Sequence, residues 1–423
     1  MSLRKALSWS AAQTGVRLCL GVASAKISAV YLGPPGVALV GQLVSLLQLM
    51  QGAISTAANT AIVNLTAERH SSPARLYELW ATALRIVWAL SFAACGIVAV
   101  VSVPIADWLL GDSRYWAALL LCGIAIVIGA TESAIASILN GLKQVDLIAK
   151  INIGSSVLEV SLFAALVYFF GLWGGLIGTS AMYAVRILVT ASVAIRTGHV
   201  SPSRLKGHFN RQDARAVLHF YPMLLAQAIA LPLAQIVVRN LVIDGTSLTT
   251  AGHLQSAWRL SDMYVGVMTT ALGLYFVAHY SGLSAGQERA KVLRVTVLQV
   301  LALAVMAAGA VYALRDLIIT LILTKDFLPM GELLPFHLIG DVLKLAGYPL
   351  AMALVAERRS AWYIAQAGGG PLIFALGTMT LLPLFQAQAA PMAYAASHLA
   401  AFLIMAYAHR EKFLVPAASE GRT

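Results

Sequence analysis

Charge is scarce in this chain. Of its 423 residues only 11% are Asp, Glu, Lys or Arg and 59% are hydrophobic, with a mean hydropathy of +0.80. A soluble surface needs roughly 25% charged residues, so soluble enzymes, disordered chains and collagen-like fibres are excluded. Cysteine is nearly absent. Cys19, Cys95 and Cys122 lie inside apolar stretches without CxxC spacing, which leaves neither a disulfide framework nor a metal site. Also missing are HExxH, GxSxG and Walker-type glycine loops and any polar stretch long enough for a catalytic domain. A zinc protease, serine hydrolase or ATPase therefore has no support, and no cofactor is expected. The nine histidines read as scattered over loops and span ends, with no ligand pattern. After the opening MSLRKALSW no small-residue cleavage site follows, so this segment reads as the retained start of the first helix.

What the chain has instead is long apolar runs of about 20 residues or more, without strand alternation, which excludes a porin-type barrel. Divided at Gly, Pro and charge, they predict twelve spans: 7–32, 37–63, 80–103, 116–140, 148–170 and 173–195, then 217–242, 250–280, 293–322, 330–355, 361–383 and 389–409. The fold class is an all-α polytopic membrane protein. The most polar interval divides it into a six-helix lobe over 1–195, a basic linker over 196–215, a second six-helix lobe over 216–410 and a tail over 411–423. Gly33-Pro34-Pro35-Gly36 and Gly171-Leu172-Trp173-Gly174-Gly175 mark tight reversals, since Pro presets φ and Gly tolerates positive φ.

Twelve crossings place both termini on one side of the membrane. Loops on that side and the tail hold eighteen basic residues: Arg4, Lys5, Arg69, Arg75, Lys143, Arg196, Arg204, Lys206, Arg211, Arg215, Arg289, Lys291, Arg294, Arg358, Arg359, Arg410, Lys412 and Arg422. Arg114 and Lys325 alone fall on the other. Basic loops stay cytoplasmic, so both termini are expected in the cytoplasm. The formal charge of +11 then needs no nucleic-acid partner. A faint internal repeat relates Lys26 and Gly41-Gln42-Leu43 to Arg239 and Gly252-His253-Leu254-Gln255, as two parallel repeats would.

The informative charges are those left inside spans. A charge near the bilayer centre costs roughly 2.5–3.5 kcal/mol, so it faces water or a partner. Arg85, Lys150, Arg239 and Arg315 lie within snorkelling reach of an interface, and Lys150 also has Asp146 four residues before it, an ordinary helix pair. Arg17 and Lys26, nine residues apart, point to opposite sides of a straight helix, although Gly21 between them permits a bend. Arg259 with Asp262, and Asp341 with Lys344, have the i,i+3 spacing of an intrahelical salt bridge. Alternatively, each carboxylate exchanges its cation for a proton during a transport cycle. Glu132 and Glu159 lack a same-helix partner. Glu132 lies in the small-residue run Gly129–Ala134, which lets helices approach closely, and an interhelical bond to Arg186 is one expectation for it. A cavity with more Arg and Lys than acids predicts an anionic substrate, and the planar fork of Arg suits phosphate.

The opening through Gly33-Pro34-Pro35, the stretch Leu338-Ile339-Gly340-Asp341-Val342-Leu343-Lys344, the following Ala361-Trp362-Tyr363-Ile364 and the segment Ser256–Asp262 resemble the Wzx-type polysaccharide flippases of the multidrug/oligosaccharidyl-lipid/polysaccharide exporter superfamily. The likeness is strongest to the branch serving enterobacterial common antigen synthesis and runs over nearly the whole chain. Pro349 departs from its pattern. The resemblance implies two lobes around a central cavity, and by the logic of the internal repeat the first, second, seventh and eighth spans are expected to line it. It also implies transport of undecaprenyl-pyrophosphate-linked glycan between leaflets of a Gram-negative inner membrane, with membrane lipids and the glycan polymerase and chain-length machinery as partners. On this reading Arg17, Lys26, Arg186, Arg239, Arg259 and Lys344 form the cationic substrate site, and Glu132, Asp262 and Asp341 the coupling or gating set. A drug or metabolite antiporter of the same fold is the alternative, which the basic excess disfavours. A membrane glycosyltransferase or glycan polymerase would need a large outer loop, and the longest here has around ten residues.

Overall fold

The computed structural model describes residues 3–69, 73–201, 205, 207–283 and 286–414; Arg204, Lys206 and Arg422 lie outside them. All regular structure among the described residues is helical. Helix α1 (Leu3–Glu68) continues through Gly33, whose φ of 62° interrupts it ahead of Pro34 and Pro35. Then come α2 (Pro73–Val100) and α3 (Ser102–Leu110), closed by Gly111 in the left-handed conformation. After a 3-10 turn at Ser113–Tyr115 follow α4 (Trp116–Gly141) and α5 (Val145–Arg196), the latter interrupted at Gly171 with φ of 54°. The short α6 (Arg211–Leu218) leads to α7 (Tyr221–Gly245), α8 (Leu248–Gly282), α9 (Gln287–Ala313) and α10 (Arg315–Ile322). A 3-10 segment at Lys325–Glu332 precedes α11 (Leu334–Ala356), α12 (Ser360–Phe385), α13 (Ala389–Ala408) and α14 (Arg410–Leu414).

Eight helical stretches among the described residues are long and apolar enough to cross a membrane. Three of them, 13–68, 145–196 and 360–408, are 56, 52 and 49 residues long, more than twice the roughly 20 residues one crossing takes. These three contain the breaks at Gly33, Gly171 and Gln386, all at positive φ. The 35-residue α8 is longer than the five single-length stretches but breaks its apolar surface with His253, Arg259 and Asp262. Large apolar side chains stand exposed along the helices, among them Val100, Phe169, Met306 and Leu384, which suits hydrocarbon rather than water. The chain is a multi-pass membrane protein.

The chain divides into two compact units, 1–236 and 237–423, with the division inside α7. In the first, Leu43, Ile62, Leu79, Leu119, Ile126 and Ile138 form a fully buried core. The small-residue run of α4 works as expected: a Cβ at Gly129 would collide with Gln51 and Tyr183. The linker is docked on this unit. Arg69 pairs with Asp213 at 2.5 Å, Arg85 donates to the Gly207 carbonyl at 3.0 Å, and the Asn210 amide donates to Thr82 at 3.0 Å. Asn210 also caps α6 by accepting from the Gln212 and Asp213 amides. Arg85 thus has a structural partner. The Tyr221 hydroxyl extends the attachment into α7 by donating to the Ile54 carbonyl at 2.8 Å. In the second unit, Phe276, Tyr280, Leu293, Leu350, Leu354 and Met405 form one buried cluster, and Val265, Val300, Ala304 and Leu345 another.

Candidate functional site

Each unit carries its own group of intramembrane charges. In the first unit the reversal at Gly171 folds the second arm of α5 back beside the first, bringing Arg186 Nε to 2.9 Å from Glu159 Oε1. The pair borders a cavity of about 230 Å³ that Gln48, Thr179 and Tyr183 also line. Glu132, buried on α4, accepts instead from the Thr190 hydroxyl at 2.8 Å. Arg186 therefore bonds Glu159 and keeps Glu132 within electrostatic reach only, because the fold-back of α5 sets Glu159 directly opposite it. On α1, Arg17 is exposed and Lys26 half-buried.

In the second unit Arg239 is fully buried. Its Nη2 donates to Gln255 Oε1 at 2.5 Å, and its guanidinium lies over the Trp258 ring, 5.1 Å from the centroid. The repeat-derived position therefore joins α7 to α8. Arg259 is half-buried on α8.

The acids of α8 and α11 pair across helices. Asp262 Oδ1 lies 3.9 Å from Lys344 Nζ. Asp341, fully buried, accepts from the Ser261 hydroxyl at 2.6 Å, from Tyr394 at 2.9 Å and from Tyr264. The intrahelical Asp341–Lys344 pair that the spacing suggests is replaced by these contacts. The packing of α11 on α8 brings Lys344 to Asp262 and hydroxyls to Asp341. Asp262 keeps 70% of its side chain exposed, so an open charge pair and an enclosed carboxylate lie within one helical turn of each other.

Sequence reasoning missed the hydroxyl cage and the histidines beside it. His337 is buried on α11, 4.0 Å from Asp341, and stacks on Tyr394 at 4.3 Å between centroids. His398 of α13 meets the same ring edge-on at 4.4 Å. These two are interior residues rather than loop or span-end histidines. The i,i+4 spacings His337–Asp341 and Tyr394–His398 were the available signal. Among the described residues no group of three or more His, Cys, Asp or Glu is placed to hold a metal. The three cysteines are free.

A family model described as a polysaccharide biosynthesis protein matches residues 39–332. The chain is 26% identical over 405 residues, 95% of its length and 97% of the relative's, to the lipid III flippase of Escherichia coli (strain K12). Among solved structures it resembles the lipid II flippase MurJ in an inward closed conformation, with a TM-score of 0.77 at 14% identity over 96% of this chain and 89% of that one. It also resembles an inward-facing multidrug resistance MATE family transporter of the MOP superfamily, with a TM-score of 0.67 at 12% identity over 96% of both chains. The structural matches at these identities speak for the fold.

Proposed function

The chain belongs to the polysaccharide biosynthesis protein family, and from that premise we propose that it is a flippase for undecaprenyl-pyrophosphate-linked oligosaccharide. The cargo is a lipid III or O-antigen-type repeat unit, carried from the cytoplasmic to the periplasmic leaflet of a Gram-negative inner membrane. The observation that carries the reading is the end-to-end similarity to a lipid III flippase. The surplus of ten basic residues over six acids inside the predicted spans supports it independently, because a pyrophosphate needs cations. The protein is a transporter and not an enzyme.

The finer picture has twelve crossings in two six-helix lobes, 1–195 and 216–410, joined by the 196–215 linker, with both termini and the 411–423 tail cytoplasmic. Two observations support this count: three of the apolar stretches are double-length, and α8 is long enough to cross. Arg17 and Lys26 on the first arm of α1 and Arg259 on α8 retain enough exposure to meet a diphosphate, with Lys344 beside Asp262 as a further contact. Arg186 is bound to Glu159 and Arg239 is enclosed, so both act by holding helices unless the protein rearranges. Alternating access, with Glu132, Asp262 and Asp341 as coupling groups, lets the sugars pass through a wet cavity while the lipid tail stays in the bilayer. Polymerase and chain-length machinery are the natural recipients of the product. The alternative, a drug or metabolite antiporter, rests on the fold likeness alone, and the basic excess opposes it.

The test is leaflet translocation of a short fluorescent polyprenyl-pyrophosphate-linked saccharide in proteoliposomes, with and without a pH gradient. Wild-type protein is expected to move it, and Lys26→Ala and Arg259→Ala to lose at least tenfold in rate, the equivalent of about 1.4 kcal/mol. Export of a small cationic dye in place of the saccharide would overturn the substrate.

A further inference from the structure

Among the described residues, no Lys or Arg side chain is in contact with Asp341. Three hydroxyls, from Ser261, Tyr264 and Tyr394, point at its oxygens. An ionised carboxylate at this position would accept from all three. Among the described residues, the titratable nitrogen beside it belongs to His337, with Nε2 4.0 Å from Oδ2 and both side chains 1% exposed. Among the described residues neither ring nitrogen of His337 has a hydrogen-bond partner. A neutral imidazole always carries one N–H, and a buried donor without an acceptor is expensive, so this state leaves His337 poised toward something it does not yet hold.

A proton neutralises the pair. As an imidazolium, His337 becomes a double donor whose Nε2 closes on Asp341, and the buried negative charge is neutralised by a charge-assisted hydrogen bond. Other titratable groups around it are Lys344 one turn further along α11, His398 and Tyr394 on α13, and Tyr264 on α8. Asp262, paired with Lys344 at the exposed end of this stripe, supplies an ionisable group between solvent and the cage. The sequence His337, Asp341, Lys344 repeats at i, i+4 and i+7, one face of α11 running from enclosed to open.

We infer that His337 and Asp341 together form the proton-loading site of the second unit, taking up one proton per transport cycle as an imidazolium–carboxylate pair. This deepens the coupling role proposed for Asp341 and rests on the flippase reading, but the site is defined by its proton and not by the cargo. Proton uptake converts a single buried negative charge held by hydroxyls into a neutral pair. The hydroxyl of Tyr394, which His337 already stacks upon, is then free to leave Asp341, and α11 and α13 can shift against each other.

The first experiment needs no cargo. Purified protein carrying isotope-labelled histidine is titrated by NMR, and the His337 resonance is assigned by its disappearance in His337→Gln. A resonance that titrates between about pH 5 and 8, with its midpoint displaced about tenfold in proton affinity by Asp341→Asn, is the expected result. A resonance that does not titrate in that range, or that ignores Asp341→Asn, would overturn the site whatever the protein transports. The second experiment measures proton uptake in proteoliposomes on addition of the polyprenyl-pyrophosphate-linked saccharide. One proton per transported molecule in wild type, lost in His337→Gln and in Asp341→Asn, supports the inference. Saccharide movement with undiminished proton uptake in His337→Gln removes His337 while leaving the flippase intact. A titrating, Asp341-dependent His337 without any saccharide movement leaves the proton site standing and removes the cargo assignment.

Discussion

Glu357, just past the end of α11, gathers the C-terminal segment. The Tyr280 hydroxyl donates to its Oε1 at 2.5 Å, Lys412 forms an ion pair with the same oxygen, and His409 Nδ1 lies 3.9 Å from Oε2. Arg359 adds a bond from Nη1 to the Ala408 carbonyl at 2.5 Å. Burial pushes the Glu357 carboxyl up, but the bonds from Lys412 and Tyr280 outweigh it and hold the group below its ordinary value. A carboxylate whose folded value lies below its unfolded one stabilises the fold above the ordinary Glu range, and the contribution disappears as pH falls through the folded value. Glu357→Gln should therefore weaken the attachment of 409–414 by about 1.5–3 kcal/mol, the worth of a hydrogen bond to a charge. Hydrogen exchange at neutral pH would show faster exchange there in the variant, with the difference shrinking below about pH 4. Equal protection at neutral pH would refute the role. Gly340 offers a second case. A Cβ there meets the Tyr394 ring, so Gly340→Ala must move that ring away from Asp341 at an overpacking cost of about 1–3 kcal/mol. Thermal unfolding in detergent should show the loss, whereas Gly309→Ala, with open space around it, should not.

At the scale of elements, reversals decide which charges meet. The two arms of α5 close tightly after Gly171: a Cβ at Gly174 would strike the Leu166 carbonyl and the Val167 amide, and backbone cannot yield as a flexible side chain can. Gly174→Ala should leave little monodisperse protein after purification, and whatever survives should lose the Glu159–Arg186 pair. Normal yield and melting temperature would contradict the packing. This reversal was legible in the sequence because turn chemistry is local: Gly171 and Gly174 announce it without knowledge of any neighbour. The apolar spans were legible for the same reason, since length and hydropathy belong to each segment alone. The partners of the charges were not. Whether Asp341 meets Lys344 or Tyr264 depends on how α11 is rotated against α8, and spacing along one helix carries no record of that. Spacing proposed Asp341–Lys344; tertiary packing chose Asp262–Lys344 and a hydroxyl cage. Arg85 is a comparable case: as a residue near an interface it suggested snorkelling, but the linker carbonyl of Gly207 lies within its reach.

For the whole molecule, the proposed orientation rests on the same scarcity of charge that marks the composition. Eighteen basic residues on one set of loops and tail and two on the other is a bias large enough to set topology against the pull of any single helix. It holds only if the count of crossings is even in each half, since one missing crossing would exchange the sides of every loop after it. That makes the loops a direct test of both the count and the orientation. With Cys19, Cys95 and Cys122 replaced, single cysteines at Lys325 and Arg114 should react with a membrane-impermeant maleimide added to intact spheroplasts. Cysteines at Lys143, Arg289 and Arg358 should react only after permeabilisation. Inverted labelling throughout would reverse the orientation and with it the direction of transport. Labelling that inverts only beyond α7 would mean an odd number of crossings in the first half, and the two halves would then be inverted repeats. Lys26 and Arg239 would then reach opposite faces of the membrane, and the parallel repeat that relates them would fall.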